Sequence, residues 1–284
     1  MAHNETIPSV PKVSVIVPTK NVERTMESCL RSITGQSWAN TELVVVDNFS
    51  TDRTFEIAQQ YADIAIQAGP ERSAQRNLAI EKASGDYVLW IDADMVLTPH
   101  VLQDAMRLAL AEDLAGVFIP EVTVGDGFWT ACRALERKCY VGVELIEAPR
   151  LIKRSWFIDN GGFVADVAGQ EDADLRMRML EQGVAMGHID TYILHDEGRL
   201  TFPDIMRKRY YYGKSLPAYN RAQPGAISKQ GAATIKAMAS GLPILAGDPV
   251  HATALVGLRA CEAAAYAAGA LSENLGTRRR SLAR

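Results

Sequence analysis

Runs of apolar residues alternate with amphipathic segments along the first 120 residues. Every position is apolar or nearly so in the runs 13–17, 42–46, 64–66, 87–91 and 116–119, and segments with helical periodicity separate these runs. Strands that are apolar on both faces are typical of a parallel sheet covered by helices on both sides. We therefore predict an α/β fold with a Rossmann-like, mostly parallel central sheet.

The pattern becomes less regular after Pro120. The sequence predicts helices at 127–140 and 171–182, an extended segment at 150–157, strands near 184–186 and 192–194, and helices from residue 201 onward. We divide the chain into two halves of one domain, 12–120 and 121–200, followed by a helical C-terminal extension, 201–284.

Polar residues stand where the predicted strands end. Pro18 is expected to stop the first strand, Asp47 ends the second, and Asp92 and Asp94 follow the fourth. Ligands of doubly wound sheets bind at the carboxyl ends of the strands. Two carboxylates at the end of a buried strand are costly unless a positive charge compensates them. A divalent cation bound to a diphosphate would do so, whereas the simpler alternative is that Asp94 caps the next helix.

Composition narrows the class of protein. The 284 residues are 48% hydrophobic and 23% charged, with a net charge of −4, as in an ordinary soluble globular enzyme, which argues against bulk nucleic-acid binding. The four cysteines have neither zinc-site nor disulfide-framework spacing, so we expect a reducing cytoplasm. The N-terminus lacks the apolar core of a signal peptide. The longest apolar run, 252–271, contains Arg259 and Glu262, so we expect no membrane span.

Four segments together carry a family resemblance. VSVIVPTKN, VVVDNFSTDRT, ERSAQRNLAIEKASGDYVLWIDADM and GQEDADLRMRMLEQG follow one another in the order and at the spacing of the inverting glycosyltransferases of family 2. The resemblance covers roughly residues 12–200 and implies the GT-A fold. It also implies that 12–120 binds a nucleotide sugar and that 121–200 binds the acceptor and completes the catalytic site.

The resemblance implies a donor site at the strand ends. Pro18, Thr19 and Asp47 would line the nucleotide base pocket, and Asn21 would either join them or only cap its helix. The segment Asp92-Ala93-Asp94 would face the donor through its first two residues and bind Mn²⁺ or Mg²⁺ through Asp94. The donor-facing pair of the family corresponds to Arg76 and Asn77, for which an exposed helix face is the alternative.

The acidic pair Glu171-Asp172 is the candidate for catalysis. In the family the aspartate usually acts as the general base, which implies this role for Asp172 and leaves Glu171 as the fallback, in contact with the acceptor. Both acids would also favour the positive end of a helix. His195 is the candidate second metal ligand, with His188 and His251 as rivals and a structural role as the alternative.

We therefore predict an inverting, metal-dependent transferase that moves a sugar from a nucleotide to an acceptor hydroxyl. UDP is the commonest donor nucleotide in the family, and GDP and dTDP also occur. The acceptor is a carbohydrate, a lipid-linked molecule or a small molecule. The alternatives are a sugar nucleotidyltransferase, a retaining transferase and an inactive binding or assembly protein of the same fold.

The C-terminal extension combines basic, aromatic and apolar residues. Arg207, Lys208, Arg209 and Lys214 surround three consecutive tyrosines, and the apolar run 252–271 follows. Such residues suit a membrane interface, a second subunit in a homodimer, or the packing helices of a soluble enzyme. We expect a cytoplasmic protein, either soluble or peripheral on the inner face of the membrane.

Overall fold

The structure is a computed structural model that describes residues 10–165, 167 and 169–282, with side chains up to residue 275. The first part of the chain alternates strands and helices, as the apolar pattern predicts. In chain order the elements are β1 (Val13–Thr19), α1 (Glu23–Thr34), β2 (Thr41–Asp47), α2 (Thr54–Tyr61), β3 (Ile64–Gln67), α3 (Arg72–Lys82), β4 (Tyr87–Trp90), β5 (Met95–Leu97), α4 (Val101–Ala111) and β6 (Gly116–Phe118).

The second part adds the remaining strands and then turns entirely helical. Its elements are β7 (Glu121–Val124), α5 (Phe128–Lys138), β8 (Pro149–Lys153), α6 (Arg154–Asp159), α7 (Glu171–Glu181), β9 (Met186–His188), β10 (Ile193–Asp196), α8 (Phe202–Gly213), α9 (Leu216–Ala222), α10 (Ala226–Ser240), α11 (Leu242–Ala246) and α12 (Pro249–Leu282). The helical extension from residue 201 is confirmed.

Seven strands form the central sheet in the order β3-β2-β1-β4-β8-β6-β9. All of its pairings are parallel except the two that β8 makes with β4 and β6. The predicted mostly parallel α/β sheet is therefore confirmed. A second, smaller sheet has the order β5-β10-β7 and lies where the residues after β4 meet those after β6.

Two details of the predicted strands are wrong. Pro18 does not stop β1, because the strand continues to Thr19 and pairs with β2 as far as Asp47. The segment predicted as extended at 150–157 leaves the sheet at Lys153 and becomes α6, a helix of six residues.

Side chains of the central strands alternate between two cores. Val15 and Val17 of β1 pack with Met26 and Leu30 of α1, whereas Ile16 points to the opposite face and joins the cluster that contains Ile80 of α3. This alternation is the geometric consequence of the two-residue period of a strand. Helices cover both faces of the sheet, so polar groups gather at the carboxyl ends of the strands.

Helix α12 spans 34 residues and packs against α5 and α8. Leu255 and Leu258 of α12 join Cys132 and Ile205 in a separate apolar cluster. By length and composition alone, Pro249–Leu275 is one segment that would suffice to cross a membrane, with a mean hydropathy of 1.2. In the structure its Glu262 is buried, 1% exposed, against arginines of α5 and α8.

Candidate active site

Asp47 lies at the C-terminal end of β2, fully buried. One carboxylate oxygen accepts hydrogen bonds from the hydroxyls of Thr19 (3.0 Å) and Ser50 (2.5 Å). The other oxygen accepts from the Ser50 main-chain N–H (2.9 Å) and the Gln67 amide (3.2 Å). This network joins the ends of β1, β2 and β3, and the structure thus brings Pro18, Thr19 and Asp47 to one place.

Asn21 does not cap α1. It adopts a left-handed backbone conformation with φ of 50°, and its side-chain oxygen accepts a hydrogen bond from the Thr51 main-chain N–H at 2.8 Å. Its own main-chain N–H donates to the Ser50 hydroxyl at 2.8 Å. Asn21 therefore joins the loop after β1 to the loop after β2, beside the Asp47 network.

Asp92 faces a cluster of arginines rather than a helix start. Arg76, 1% exposed, donates to Asp92 at 2.5 Å and to Glu171 at 3.1 Å. Arg72 forms an ion pair with the same oxygen of Glu171 at 3.0 Å and lies 3.8 Å from Asp92. Burial by itself would raise the pKa of Asp92, but Arg76, Arg72 and Arg150 hold that pKa below its ordinary value. The carboxylate is therefore kept ionised.

Trp90 packs against the arginines of this cluster. Two guanidinium groups lie over its ring, that of Arg76 at 4.5 Å and that of Arg150 at 4.1 Å from the ring centroid. The indole N–H donates to the Pro149 carbonyl at 2.9 Å, which holds the ring in place. Stacking on an aromatic face stabilises cations that are removed from water, so the last residue of β4 holds the arginines that compensate Asp92.

Asp94 and His195 form the candidate metal pair. β5 and β10 are paired in register so that His195 is opposite Met95, and His195 Nε2 lies 3.5 Å from Asp94 Oδ2. Asp94 Oδ1 is buried without a hydrogen-bond partner among the described residues. Ala93, between the two acids, packs its side chain in the core, so only its main chain faces the site.

Glu121 of β7 holds the other side of the imidazole. His195 Nδ1 lies 3.1 Å from Glu121, which also accepts a hydrogen bond from Arg150 at 3.0 Å. Burial lowers the pKa of His195, but hydrogen bonds with Asp94 and Glu121 outweigh it and raise that pKa to about 9. A carboxylate behind the imidazole directs Nε2 toward a metal.

An imidazole, a carboxylate with an unpaired oxygen and a supporting acid fit Mn²⁺ or Mg²⁺ that completes its coordination with phosphate oxygens. No cluster of three or more metal-binding side chains exists within the described part of the chain. The rivals of His195 lie elsewhere: His188 stacks on Phe118, and His251 pairs with Asp248 at 2.7 Å.

Helix α7 begins with the predicted acidic pair, and its two carboxylates differ. Glu171 is buried, 2% exposed, and forms ion pairs with Arg72 and Arg76. Asp172 is half-buried, and its only recorded hydrogen bond is from the main-chain N–H of Ala173, at 2.7 Å. Asp172 forms no ion pair with any described residue, whereas Glu171 binds both arginines through Oε1 and keeps only a buried Oε2 without a partner.

Asn77 binds the turn that contains Gly161 and Gly162, between α6 and α7. Its side chain donates to the Phe163 carbonyl at 2.8 Å and accepts from the Phe163 main-chain N–H at 2.9 Å. Gly162 has φ of 69°, and a Cβ there would lie 2.8 Å from the Asn77 amide oxygen. Asn77 therefore positions this turn, and its contact with a donor stays a prediction.

A cavity of about 480 Å³ lies between part of this site and the helical extension, and Asp47 and Asp94 are not among its lining residues. Asp92, Asp172 and His195 line it on the side of the sheet, and α5, α8, α10 and α12 form the opposite wall. Tyr212 of α8 comes so close to Gly169 that a Cβ at residue 169 would lie 2.3 Å from the ring. The helical extension is therefore part of the site.

Sequence reasoning missed Glu121, Arg72 and Arg150. Arg150 is the only charged residue in the run APRLI, and Glu121 is the first residue of β7, after Ile119 and Pro120. A charge inside an apolar strand is unusual, and this signal could have identified Arg150. Glu121 at a strand start and Arg72 in the polar segment PERSAQRN gave no comparable signal.

Known proteins share sequence and fold with this chain. Residues 14–169, more than half of the chain, match the model of glycosyl transferase family 2. The uncharacterized glycosyltransferase YibD of Escherichia coli (strain K12) is 36% identical over 112 residues, 37% of this chain and 33% of that protein. The uncharacterized glycosyltransferase EpsJ of Bacillus subtilis (strain 168) is 31% identical over 151 residues, 51% of this chain and 41% of that protein.

Solved structures share the fold. Mannosyltransferase PcManGT from Pyrobaculum calidifontis, in complex with GDP-Man and Mn²⁺, has a TM-score of 0.64 and 21% identity over 93% of this chain and 87% of its own. Staphylococcus aureus TarS 1-349 in complex with UDP-GlcNAc has a TM-score of 0.54 and 18% identity, over 93% and 92%. This chain spans only about a third to two fifths of the two curated relatives named above. On the family match, the chain belongs to glycosyl transferase family 2.

Proposed function

We propose that this protein transfers a sugar from a nucleotide diphosphate sugar to an acceptor hydroxyl, with inversion at the anomeric carbon. The observation that carries the proposal is one cavity lined by Asp92, His195 and the unpaired carboxylate of Asp172. It unites a group that faces the donor, a candidate metal ligand and a candidate base. Family membership supports a transferase, and the site geometry supports the roles of the residues.

The donor would lie along the carboxyl ends of β1, β2 and β4. Asp47 and Thr19 would contact the base or ribose, because an acid at a strand end accepts hydrogen bonds from such groups. TarS is described with UDP-GlcNAc and PcManGT with GDP-Man. We propose a UDP-sugar as donor, as described for TarS, with a GDP-sugar, as described for PcManGT, as the alternative.

Asp94 and His195 would hold Mn²⁺ or Mg²⁺. The bound cation would supply positive charge against the leaving diphosphate. Asp94 is suited to this because one of its oxygens is buried without a partner, and His195 because Glu121 fixes its ring. PcManGT is described with Mn²⁺, which supports a divalent cation in this fold.

Asp172 would act as the general base. Its carboxylate takes the proton of the acceptor hydroxyl while the hydroxyl oxygen forms a bond to the anomeric carbon. The bond from that carbon to the diphosphate breaks, and the nucleoside diphosphate leaves with the bonding electrons. Attack from the face opposite the leaving group inverts the configuration. Glu171 would act only as a positioning residue, because Arg72 and Arg76 already occupy it.

Two of the three alternatives fit the molecule less well, and the third is distinguished by the role of Asp172. A sugar nucleotidyltransferase needs a glycine-rich loop to bind triphosphate, and residues 20–22 between β1 and α1 contain no glycine. An inactive assembly protein would tolerate loss of the acids, yet Asp47, Asp92, Asp94 and Asp172 are all present. A retaining transferase would not need Asp172 as a base.

Calorimetric titration with UDP, GDP and dTDP, each with and without Mn²⁺, tests the donor site. We expect one nucleotide to bind tightly only with the metal, and Asp94→Asn to remove the metal-dependent part of the affinity. Asp159→Asn is the matched control, since Asp159 is exposed and has no recorded hydrogen bond or ion pair. If no nucleotide bound to the folded protein, the donor site would be wrong.

We also propose peripheral contact of the helical extension with the inner membrane face. Ile235, Leu242, Val250 and Val256 are between 62% and 73% exposed on α10, α11 and α12, and Lys236 lies beside Ile235. Exposed apolar side chains with lysine suit an anionic lipid surface. Flotation with anionic vesicles should carry the protein, and Val256→Glu should weaken it. Dimerisation in solution without flotation would favour a homodimer through this face.

A further inference from the structure

Eight arginines line the cavity, and seven of them form an ion pair with a carboxylate. The arginines that line the cavity and also form an ion pair with a carboxylate are Arg72, Arg76, Arg133, Arg137, Arg150, Arg209 and Arg259. Arg176 lines the same cavity and forms no ion pair with any residue that the structure describes. It is therefore the lining arginine whose charge lacks a contacting partner.

The hydrogen bonds of Arg176 use one edge of its guanidinium. Nη1 donates to the main-chain carbonyls of Ile146 at 3.0 Å and Glu147 at 3.2 Å. Nε is buried and has no partner among the described residues, and the whole side chain is only 4% exposed. The carbonyls thus fix the orientation of the group, and the Nε edge is left without a hydrogen-bond partner among the described residues.

A purely structural role does not account for this arrangement. Tying the loop at Ile146 and Glu147 explains the bonds of Nη1, but an uncharged amide would serve for that. A buried charge without a partner is costly, and an unpaired buried donor in a native protein calls for an explanation such as a bound ligand. Burial lowers the pKa of Arg176, and the charges of Asp172 and Tyr219 act against it without forming an ion pair.

The position of Arg176 connects it with the chemistry. Asp172 and Arg176 are four residues apart on α7, so they lie on one face of the helix with Cβ atoms about 6 Å apart. Both line the cavity. A molecule with its hydroxyl at Asp172 would therefore extend its neighbouring atoms along the helix to Arg176.

We propose that Arg176 forms an oxyanion subsite for the acceptor, so that the transferase acts on a hydroxyl close to a phosphate or carboxylate group. The Nε edge of arginine binds such groups through two parallel hydrogen bonds. This inference rests on the proposed function for the identity of the acceptor hydroxyl. Lys208, an exposed lining residue near the cavity mouth, would add a weaker attraction for the same charge.

NMR titration of the full chain with glycerol 3-phosphate, glycerate and glycerol tests the subsite, because the three probes differ only in their charged group. We expect one or both oxyanions to bind about 10- to 100-fold more tightly than glycerol. Arg176→Gln should abolish that preference, Arg176→Lys should restore part of it, and Lys208→Gln should reduce it slightly. The two charged probes distinguish phosphate from carboxylate.

Two results would overturn the proposal: equal binding of all three probes by the wild-type protein, or an unchanged oxyanion preference in folded Arg176→Gln. The comparison of the three probes uses only the wild-type protein, so the proposal can be refuted even if Arg176→Gln folds poorly. Nucleotide and Mn²⁺ binding is measured on the same samples and should not change. If the wild-type protein bound no nucleotide but still preferred oxyanions through Arg176, the proposed donor site would be wrong and the proposed oxyanion subsite would stand.

Discussion

The two sides of the cavity compensate their charges differently. On the sheet side, Asp47 is satisfied by hydroxyls, an amide and a main-chain N–H that come from strand ends and adjoining loops. On the helical side, Glu262 of α12 accepts from Arg133 of α5 and Arg209 of α8, which lie 129 and 53 residues away in the chain. The first network is set mainly by strand pairing, and the second exists only after distant helices meet.

This difference teaches what each side tolerates. The central sheet fixes the strand ends through a regular ladder, so local hydrogen bonds hold Asp47, and Asp94 keeps one oxygen without a partner among the described residues. In the helical wall, the buried carboxylate of Glu262 forms ion pairs with arginines, because a buried carboxylate needs cations around it. Asp172 and Arg176 lie between the two regions, on α7, and both retain groups without an ion-pair partner.

The largest effect is expected at Asp172. Asp172→Asn should reduce the rate of sugar transfer by about 10²- to 10⁴-fold, because the acceptor hydroxyl loses its base. Binding of nucleotide with Mn²⁺ should remain, since the strand-end network is intact. Release of nucleoside diphosphate from the screened sugar nucleotide measures the rate. Glu181→Gln, exposed at the end of the same helix, is the control; full activity of Asp172→Asn would indicate a retaining mechanism.

The second effect concerns the helical wall. The pKa of Glu262 would be raised by burial, but Arg209, Arg133 and Arg259 lower it to about 2. Glu262→Gln should therefore lower the free energy of unfolding by about 3–5 kcal/mol, since it leaves buried arginines uncompensated. Urea denaturation measures this loss. Glu112→Gln, at an exposed position after α4, should change stability by less than about 0.5 kcal/mol; equal values for both variants would refute the comparison.

A smaller effect is expected at Glu121, where the two regions meet. Glu121→Gln should weaken Mn²⁺-dependent nucleotide binding by about 10- to 100-fold, because it loosens the orientation of His195. Calorimetry measures the affinity. Glu197→Gln is matched to it, since the Glu197 carboxylate also pairs with Arg137 but does not contact the His195 imidazole among the described residues. Similar losses in both variants would mean that the arginine pairing matters and the imidazole does not.

The smallest effect is expected in the pH dependence of stability. Burial, assisted by the charge of Glu121, raises the pKa of Glu147 to about 7. His188 Nε2 lies 3.7 Å away, and the Gly142 N–H donates to the carboxyl group. A raised pKa favours the protonated folded state, so Glu147 should destabilise the fold increasingly as pH rises from about 4.5 to 7 and then level off.

Glu147→Gln should remove this penalty. The variant should therefore gain thermal stability relative to the wild type as pH rises from 5 to 8. Melting temperatures measured across this range provide the test. Glu144→Gln, at an exposed position in the same segment, should parallel the wild type. If the difference between Glu147→Gln and the wild type stayed constant with pH, the carboxyl group would not titrate in this range.

The amino-acid pattern by itself determined the α/β class, the mostly parallel sheet and the gathering of polar residues at strand ends. These follow from local rules, because a fully apolar strand must be covered on both faces and parallel strands share one edge. The same reasoning mispredicted the end of β1, because the pairing of β1 with β2 includes Pro18 and continues to Thr19. The role of Asp172 as base stays a prediction.

Tertiary structure alone decided which acids are occupied and which are available. Glu171 and Asp172 are neighbours with similar chemistry, yet Arg72 and Arg76 from α3 occupy only the first. Asn77 adjoins Arg76 but binds the turn at Phe163. Glu121 reaches His195 because β7 and β10 pair across 74 residues of chain. Such contacts depend on which distant elements meet, and no local pattern of residues encodes that.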